Sequence, residues 1–565
     1  MNSLRLLGWL CARIALLIGV LLVTWPASRP AVAEEKLDPL ARLQYDAVRE
    51  GKASWGYWGT DPARYSNWTS HSNRLIPVYT FGITLQAVKG EQSPYRKANE
   101  LERLYGKVPE ETLNPQADYF DQTDIYRLQW EAALSGKRYI VLVVFDGMDW
   151  QTTWAAALYV AGQVAYREGR GTGLLFQDYA AVPTDFGFMV TSPHNDGTRA
   201  DVDHQRILNP GGSTPGGYDA RRGGALPWSV PAEPEYLLGR SRTLVHAVTD
   251  SASSATSMTA GIKTYNDAIN VDWQGRPVPT IAHRLQQRGF AIGVVTSVTI
   301  SHATPACAYA HNVHRDDYQD IARDLVGLPS VSHPDQPLAG VDVLLGAGWG
   351  LVKNSDPGQG TNYQPGNPII ADSDLAAVDV RHGGRYRVVQ RTAGRRGREV
   401  LDEAIKGAVA GNERLLGLFG TRYGHLPFQT GDGRFDPTIS VSLKNARIET
   451  AAAEQYTTAD VEENPSLADL TRAALEVLAA RSDRFWLMVE AGDVDWANHA
   501  NNVDNAVGAV LSGEAAFGEI VQWVERHQAW DEAAVIVTAD HGHHLVITQP
   551  EVLAEAGRLA RSQNP

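Results

Sequence analysis

Acidic and imidazole side chains recur just past apolar runs in this chain. Asp146 follows Tyr139–Phe145, Glu490 follows Val489, and Asp540 and His541 come just after the run that ends at Thr538. Asp495 and His499 stand at i and i+4 shortly after Glu490. On a helix that spacing puts them on one face, where they can grip a single ion. Mixed carboxylate and imidazole donors suit Zn²⁺, and an all-oxygen neighbouring site suits Mg²⁺. Each residue alone has an ordinary structural reading: an Asp after a strand caps a turn, and an Asp/His pair four apart lies on a solvated helix face. Their joint placement argues for metal chemistry. A hydroxyl complements them. The segment Thr249-Asp-Ser-Ala-Ser-Ser-Ala-Thr-Ser-Met-Thr-Ala-Gly261 is small and helix-compatible, and Ser251 falls at its start. There the free backbone N–H groups favour an anion. Asp250 or Ser251 can also cap that helix, and capping is compatible with catalysis. No histidine neighbours Ser251 in sequence, so a protease-type triad has no local support. Coordination to a metal is another way to make a serine alkoxide.

These residues need elements that bring them together. Six short runs are apolar throughout, as strands buried on both faces are: Tyr139–Phe145, Ala291–Val295, Val341–Leu345, Leu415–Phe419, Phe485–Val489 and Ala533–Thr538. Helical patterns lie between them at Ile281–Arg288, Leu467–Ala480 and Val503–Arg526, and Ser466 with Asp469 resembles a capping box. This alternation predicts an α/β fold, a three-layer sandwich with a mostly parallel central sheet flanked by helices, carrying insertions. Ligands of such sheets bind at the carboxyl ends of the strands, where Asp146, Glu490, Asp540 and His541 fall. Residues 34–135 are polar, with an aromatic patch of Trp55, Tyr57, Trp58 and Trp68 whose default reading is core packing. They are expected to form an N-terminal extension packed on the core. Residues 136–565 are expected to be the catalytic domain, with a Gly/Pro-rich insertion at about 185–245 and a loop-like stretch at 350–400.

Length and charge narrow the classes. The 565 residues carry a formal net charge of -14, which argues against a nucleic-acid scaffold role, normally marked by a basic face. Arg5 and Arg13, the apolar run Ile14–Trp25 and Ala31-Val32-Ala33 together read as a secretory signal over residues 1–33. The run is too short to span a bilayer comfortably, so a periplasmic or secreted protein without a stable membrane span is expected. Cys11 would leave with the signal and only Cys307 would remain, which excludes an intramolecular disulfide and suggests a buried structural thiol.

Five segments, in order, resemble the alkaline phosphatase family. They are Val143-Val-Phe-Asp-Gly-Met, then Asp250-Ser-Ala-Ser-Ser-Ala-Thr with the following Gly-Ile-Lys-Thr-Tyr-Asn-Asp-Ala-Ile-Asn-Val-Asp, then His302-Ala-Thr-Pro-Ala-Cys-Ala-Tyr-Ala-His with Arg315, then Val489-Glu-Ala-Gly-Asp-Val-Asp-Trp-Ala-Asn-His, and Val537-Thr-Ala-Asp-His-Gly-His. The resemblance covers about residues 138–148 and 245–545. It implies a phosphate monoester hydrolase with two Zn²⁺ and one Mg²⁺, acting on small phosphate monoesters. Ser251 would be the phosphorylated nucleophile and Arg315 the phosphate clamp, oriented by Asp250. Asp146, Asp540 and His541 would hold one zinc, Asp495 and His499 the second, and Asp146, Thr304 and Glu490 the magnesium. His302 stands where bacterial members often carry Asp and animal members His, which implies a magnesium site tuned differently from the bacterial pattern. His543 would support the metal carboxylates. Dimers are common in the family, and the sequence leaves a homodimer open.

One departure stands out. The family supplies a further His to the second zinc from a Gly/Thr-rich motif well after the Asp-His pair, but only 24 residues follow His541 here, without such a motif. The substitutes considered are His543 or His544, or His194 or His204 from the insertion; otherwise the site holds its metal weakly. His425 is expected in an ordinary surface loop. Two rival functions remain: a phosphodiesterase of the same superfamily, and a non-catalytic, metal-dependent phosphate-binding protein.

Overall fold

The computed structural model describes residues 37–563. Residues from Asp38 onward form one compact unit. The expected secretory signal lies outside the described residues. Ten strands form the central sheet: β1 (Ile76–Phe81), β2 (Phe120–Asp121), β3 (Tyr139–Phe145), β4 (Thr184–Val190), β5 (Ala291–Thr299), β6 (Val343–Ala347), β7 (Tyr386–Gln390), β8 (Arg414–Phe419), β9 (Phe485–Ala491) and β10 (Ala533–Thr538). Their order is β7-β8-β6-β5-β9-β3-β10-β1-β4-β2. The seven strands from β7 to β10 are mutually parallel, and β1 pairs antiparallel with both β10 and β4. The mostly parallel sheet is therefore as expected, and its strands are apolar because both faces are covered.

Two groups of helices flank the sheet. One contains α1 (Trp150–Ala161), α4 (Leu467–Arg481) and α6 (Val503–Arg526). The other contains the helix Thr123–Leu134, α2 (Ser251–Ala260) and the short helix α3 (Ala303–Cys307). The Ser466/Asp469 capping box is present: Asp469 N–H donates to Ser466 Oγ at 3.1 Å and the Asp469 carboxylate accepts from Ser466 N–H at 3.2 Å. Trp55 and Trp58 are buried in the main core, and Cys307 is a buried free thiol that burial pushes up to about 12.

Register explains why ligands meet. Thr296 of β5 pairs with Glu490 of β9, Glu490 with Val144 of β3, and Val144 with Thr538 of β10. These four residues stand level across the sheet, and the residues just beyond β3, β9 and β10 share one edge. Residues 34–135 supply β1 and β2 to this sheet, and the 185–245 stretch begins within β4. β7 lies in the stretch read as loop-like.

Candidate active site

Three local devices fix the metal-type donors. Asp146 follows β3, and Gly147 next to it (φ +72°) is the only residue type that fits, since a Cβ there would lie 2.7 Å from His543 Nε2. Gly147 N–H donates to Asp540 Oδ1 at 2.8 Å. The Asp540 carbonyl in turn accepts from Gln122 Nε2 at 2.9 Å and Ser254 Oγ at 2.7 Å, locking the turn after β10 onto α2. Asp495 and His499 both lie on α5 (Asp493–His499), so the predicted i, i+4 pairing on a helix holds. His499 Nε2 is 3.5 Å from Asp495 Oδ1.

The predicted donors converge. His541 Nε2 lies 3.3 Å from Asp146 Oδ1, 3.4 Å from Asp540 Oδ2 and 3.7 Å from Asp495 Oδ1. Thr304 Oγ1 donates to Asp146 Oδ2 at 3.3 Å, and Glu490 takes a hydrogen bond from Thr296 Oγ1. Asp146, His302 and Glu490 form one donor group, Asp146, Asp540 and His541 another, and Asp495, His499 and His543 a third. Ser251 opens α2, with Asp250 as its cap accepting from Ser253 N–H at 2.9 Å. Ser251 Oγ is 3.2 Å from His541 Nε2. Arg315 Nη1 donates to Asp250 Oδ2 at 2.9 Å, and its Nη2 lies 3.3 Å from His302 Nε2.

The electrostatics fit cations. Asp146 Oδ1, Asp540 Oδ2 and Glu490 Oε1 are buried without a hydrogen-bond partner. Burial and the charges of Asp540, Asp495 and Glu490 push the Asp146 carboxyl well above the usual range. Burial, with Asp540 nearby, pushes Glu490 up to about 8. Burial also raises Asp495, but His499, His543 and His541 outweigh it and hold that carboxyl well below the usual range. Packed carboxylates with orphaned oxygens are what divalent cations neutralise. Asp250 is likewise held low, since Arg315 and the Ser253 N–H outweigh its burial.

A residue not singled out in the sequence completes the cluster. His71 groups with Asp495 and His541. Its ring centre is 4.2 Å from that of His541 and 4.8 Å from that of His499. An antiparallel bridge, Ser72 to Gly542, fixes it there, with Ser72 N–H donating to the Gly542 carbonyl at 2.6 Å. Thr69 O lies 2.6 Å from His499 Nδ1, so that ring nitrogen donates to it and Nε2 is left facing Asp495. Of the proposed substitutes, His543 Nε2 sits 2.6 Å from Asp495 Oδ1 and supports that carboxylate. His544 belongs to none of the donor groups among the described residues. His194 stacks on Trp273 and bonds Asn195, and exposed His204 bonds Asp201, so the insertion supplies no ligand. His425 is not a surface residue: it is buried against Trp496 and Phe428 beside Glu454. No local pattern marks His71: it stands alone shortly before the apolar run Ile76–Phe81 and ahead of every other motif.

A family model described as alkaline phosphatase matches residues 234–557, which takes in Ser251, Arg315 and all the C-terminal donors. Alkaline phosphatase 4 of Bacillus subtilis is 27% identical over 297 residues, covering 52% of this chain and 49% of that protein. The streptomycin-6-phosphate phosphatase of Streptomyces griseus is 30% identical over 308 residues, covering 52% and 62%. The chain thus aligns with about half to three-fifths of the length of these relatives. The crystal structure of Thermus thermophilus alkaline phosphatase is similar at a TM-score of 0.43 and 23% identity, over 72% of this chain and 60% of that one. With the family model matching more than half of its residues, the chain belongs to the alkaline phosphatase family.

Proposed function

We propose that this protein is a divalent-metal-dependent phosphate monoester hydrolase that works through a phosphoserine at Ser251. The observation that carries the reading is the Ser251 hydroxyl set 3.2 Å from His541 Nε2, inside a ring of buried carboxylates and imidazoles and at the N-terminus of α2. The donor group of Asp146, Asp540 and His541 supports one Zn²⁺; Asp495 and His499, with His71 packed edge-on against His499 and grouped with Asp495, would hold a second, and Asp146, Thr304 and Glu490 would hold Mg²⁺. Cations bound there would supply Lewis-acid stabilisation of the attacking and leaving oxygens. The chain's own groups do the positioning. Arg315, fixed by Asp250, offers its planar fork to two phosphate oxygens, and the free N–H groups of α2 face the same anion. Ser251 Oγ attacks phosphorus as the ester P–O bond breaks and the alcohol departs with a proton. Water then cleaves the phosphoserine, releasing inorganic phosphate and restoring the hydroxyl. Phosphoryl transfer depends mainly on such positioning and charge neutralisation. The pattern in residues 1–33 supports export; among the described residues no helix is long and apolar enough to cross a membrane.

Rapid mixing of the metal-loaded protein with p-nitrophenyl phosphate tests the reading. A burst of p-nitrophenol followed by turnover is expected, with bis-p-nitrophenyl phosphate cleaved more slowly. Faster cleavage of the diester, or stoichiometric binding without turnover, would overturn it.

A further inference from the structure

A second group of donors closes on the loop that carries Arg315, away from Ser251. His311, Asp324 and His333 each present a ligand atom within 4.8 Å of the others. Asp324 Oδ1 and Oδ2 lie 3.0 and 3.1 Å from His333 Nδ1. That is close to the ~3.3 Å between neighbouring vertices of a tetrahedral zinc shell with bonds of about 2.0 Å. His311 is the telling member. Its Nε2 donates to the Val278 carbonyl at 2.9 Å, which places the ring proton there and leaves a lone pair on Nδ1. That Nδ1 is buried with no hydrogen-bond partner, on a residue only 5% exposed. Metal-binding histidines use this arrangement, one nitrogen donating to a carbonyl and the other free for the ion.

Surrounding groups fit a closed site with one open vertex. Asp324 also accepts from His311 N–H at 2.9 Å and Ser330 Oγ at 2.6 Å, so its carboxylate is held in place whether or not His333 donates to it. His283 stacks on His311 with ring centres 5.1 Å apart. Its Nδ1 accepts from Thr280 N–H at 3.1 Å, which leaves Nε2–H as a buried donor without a partner, suited to a solvent ligand on the open vertex. The His333 side chain is 17% exposed and gives an ion access from the surface.

We propose that His311 Nδ1, Asp324 and His333 form a structural Zn²⁺ site, separate from the Ser251 cluster. It staples the loop bearing Arg315 to the helix Tyr318–Val326 and to the segment that follows it. Asp324 lies in that helix and His333 beyond it, so one ion would tie together three segments that are already linked by hydrogen bonds such as Ser330 Oγ to Asp324 and Ser332 Oγ to the His311 carbonyl. The inference stands whether or not the hydrolase reading holds.

Zinc-loaded full-length protein, dialysed against zinc-free buffer, tests it by metal analysis. Wild type is expected to retain one more zinc per chain than His333→Ala or Asp324→Asn, while both variants keep the zinc of the Ser251 cluster. An anomalous difference map at the zinc edge from wild-type crystals is expected to show a peak among the three side chains, and it decides the matter if a variant fails to fold. Equal zinc content in wild type and folded variants, or peaks at the Ser251 cluster with none among His311, Asp324 and His333, would overturn the proposal.

Discussion

Replacing His71 by Ala removes one of three protein donors from the Asp495 and His499 site, and its effect can be sized. Structural zinc sites with four ligands bind with about 10–16 kcal/mol, or about 2.5–4 kcal/mol per ligand. At ~1.4 kcal/mol per tenfold, losing one ligand weakens zinc binding by roughly 10²–10³-fold. His543 is the one neighbour that shares a donor group with Asp495 and His499, and its Nε2 is already 2.6 Å from Asp495 Oδ1, so the double variant His71→Ala/His543→Ala is the control for replacement. The assay is hydrolysis of p-nitrophenyl phosphate in zinc buffers spanning free concentrations over many decades. The half-activation point of His71→Ala is expected to move up by that factor, and His499→Ala to behave alike. His194→Ala, remote from the cluster, is expected to leave the curve in place. A half-activation point for His71→Ala within threefold of wild type would refute the assignment of His71 as a ligand.

Arg315→Lys keeps the charge but loses the fork that Asp250 orients at 2.9 Å. One lost charge-assisted hydrogen bond of about 1.5–3 kcal/mol predicts a fall in kcat/KM of roughly 10–100-fold, read from initial rates. Asp504, in the first turn of α6, is pushed up by burial and by Asp38 and Asp432, from 3.8 to about 7. A carboxyl raised on folding stabilises below its unfolded pKa, and that contribution is lost as pH rises through about 7. Asp504→Asn is therefore expected to gain on the order of 2–4 kcal/mol over wild type at pH 8 and almost nothing at pH 4, in denaturant melts of chelator-treated protein. Equal differences at the two pH values would contradict this. Chelation is expected to lower the melting temperature, because an ion present at ~1,000 times its Kd stabilises the folded state by about 4 kcal/mol; an unchanged melt would deny that ions occupy the cluster.

What could be read from the chain depended on how local the signal was. β3, β10 and α6 fell on the expected residues because each is an uninterrupted apolar or helical pattern. β1 is hidden by Pro77, which argues against an internal strand. In the fold Pro77 lies just outside the pairing with β10, which runs from Val78 to Phe81, so that pairing needs no amide from it. β4 was hidden by Asp185 and Gly187 in a Gly/Pro-rich setting, although Asp185 is held by Lys89. The donors after β3, β9 and β10 were legible because the sheet edge follows from strand polarity. His71 was not, since its place is set by a bridge to Gly542 at the other end of the chain. His425 differs for a similar reason: Phe428 beside it is local, but Trp496, which helps bury it, lies on α5, far along the chain.

The most direct test is acid trapping of the metal-loaded protein during turnover of a ³²P-labelled phosphate monoester, followed by peptide mapping. One phosphoryl group on the peptide containing Ser251 is predicted, absent after chelation and absent from Ser251→Ala. Label on another residue, or full turnover by Ser251→Ala, would contradict the account.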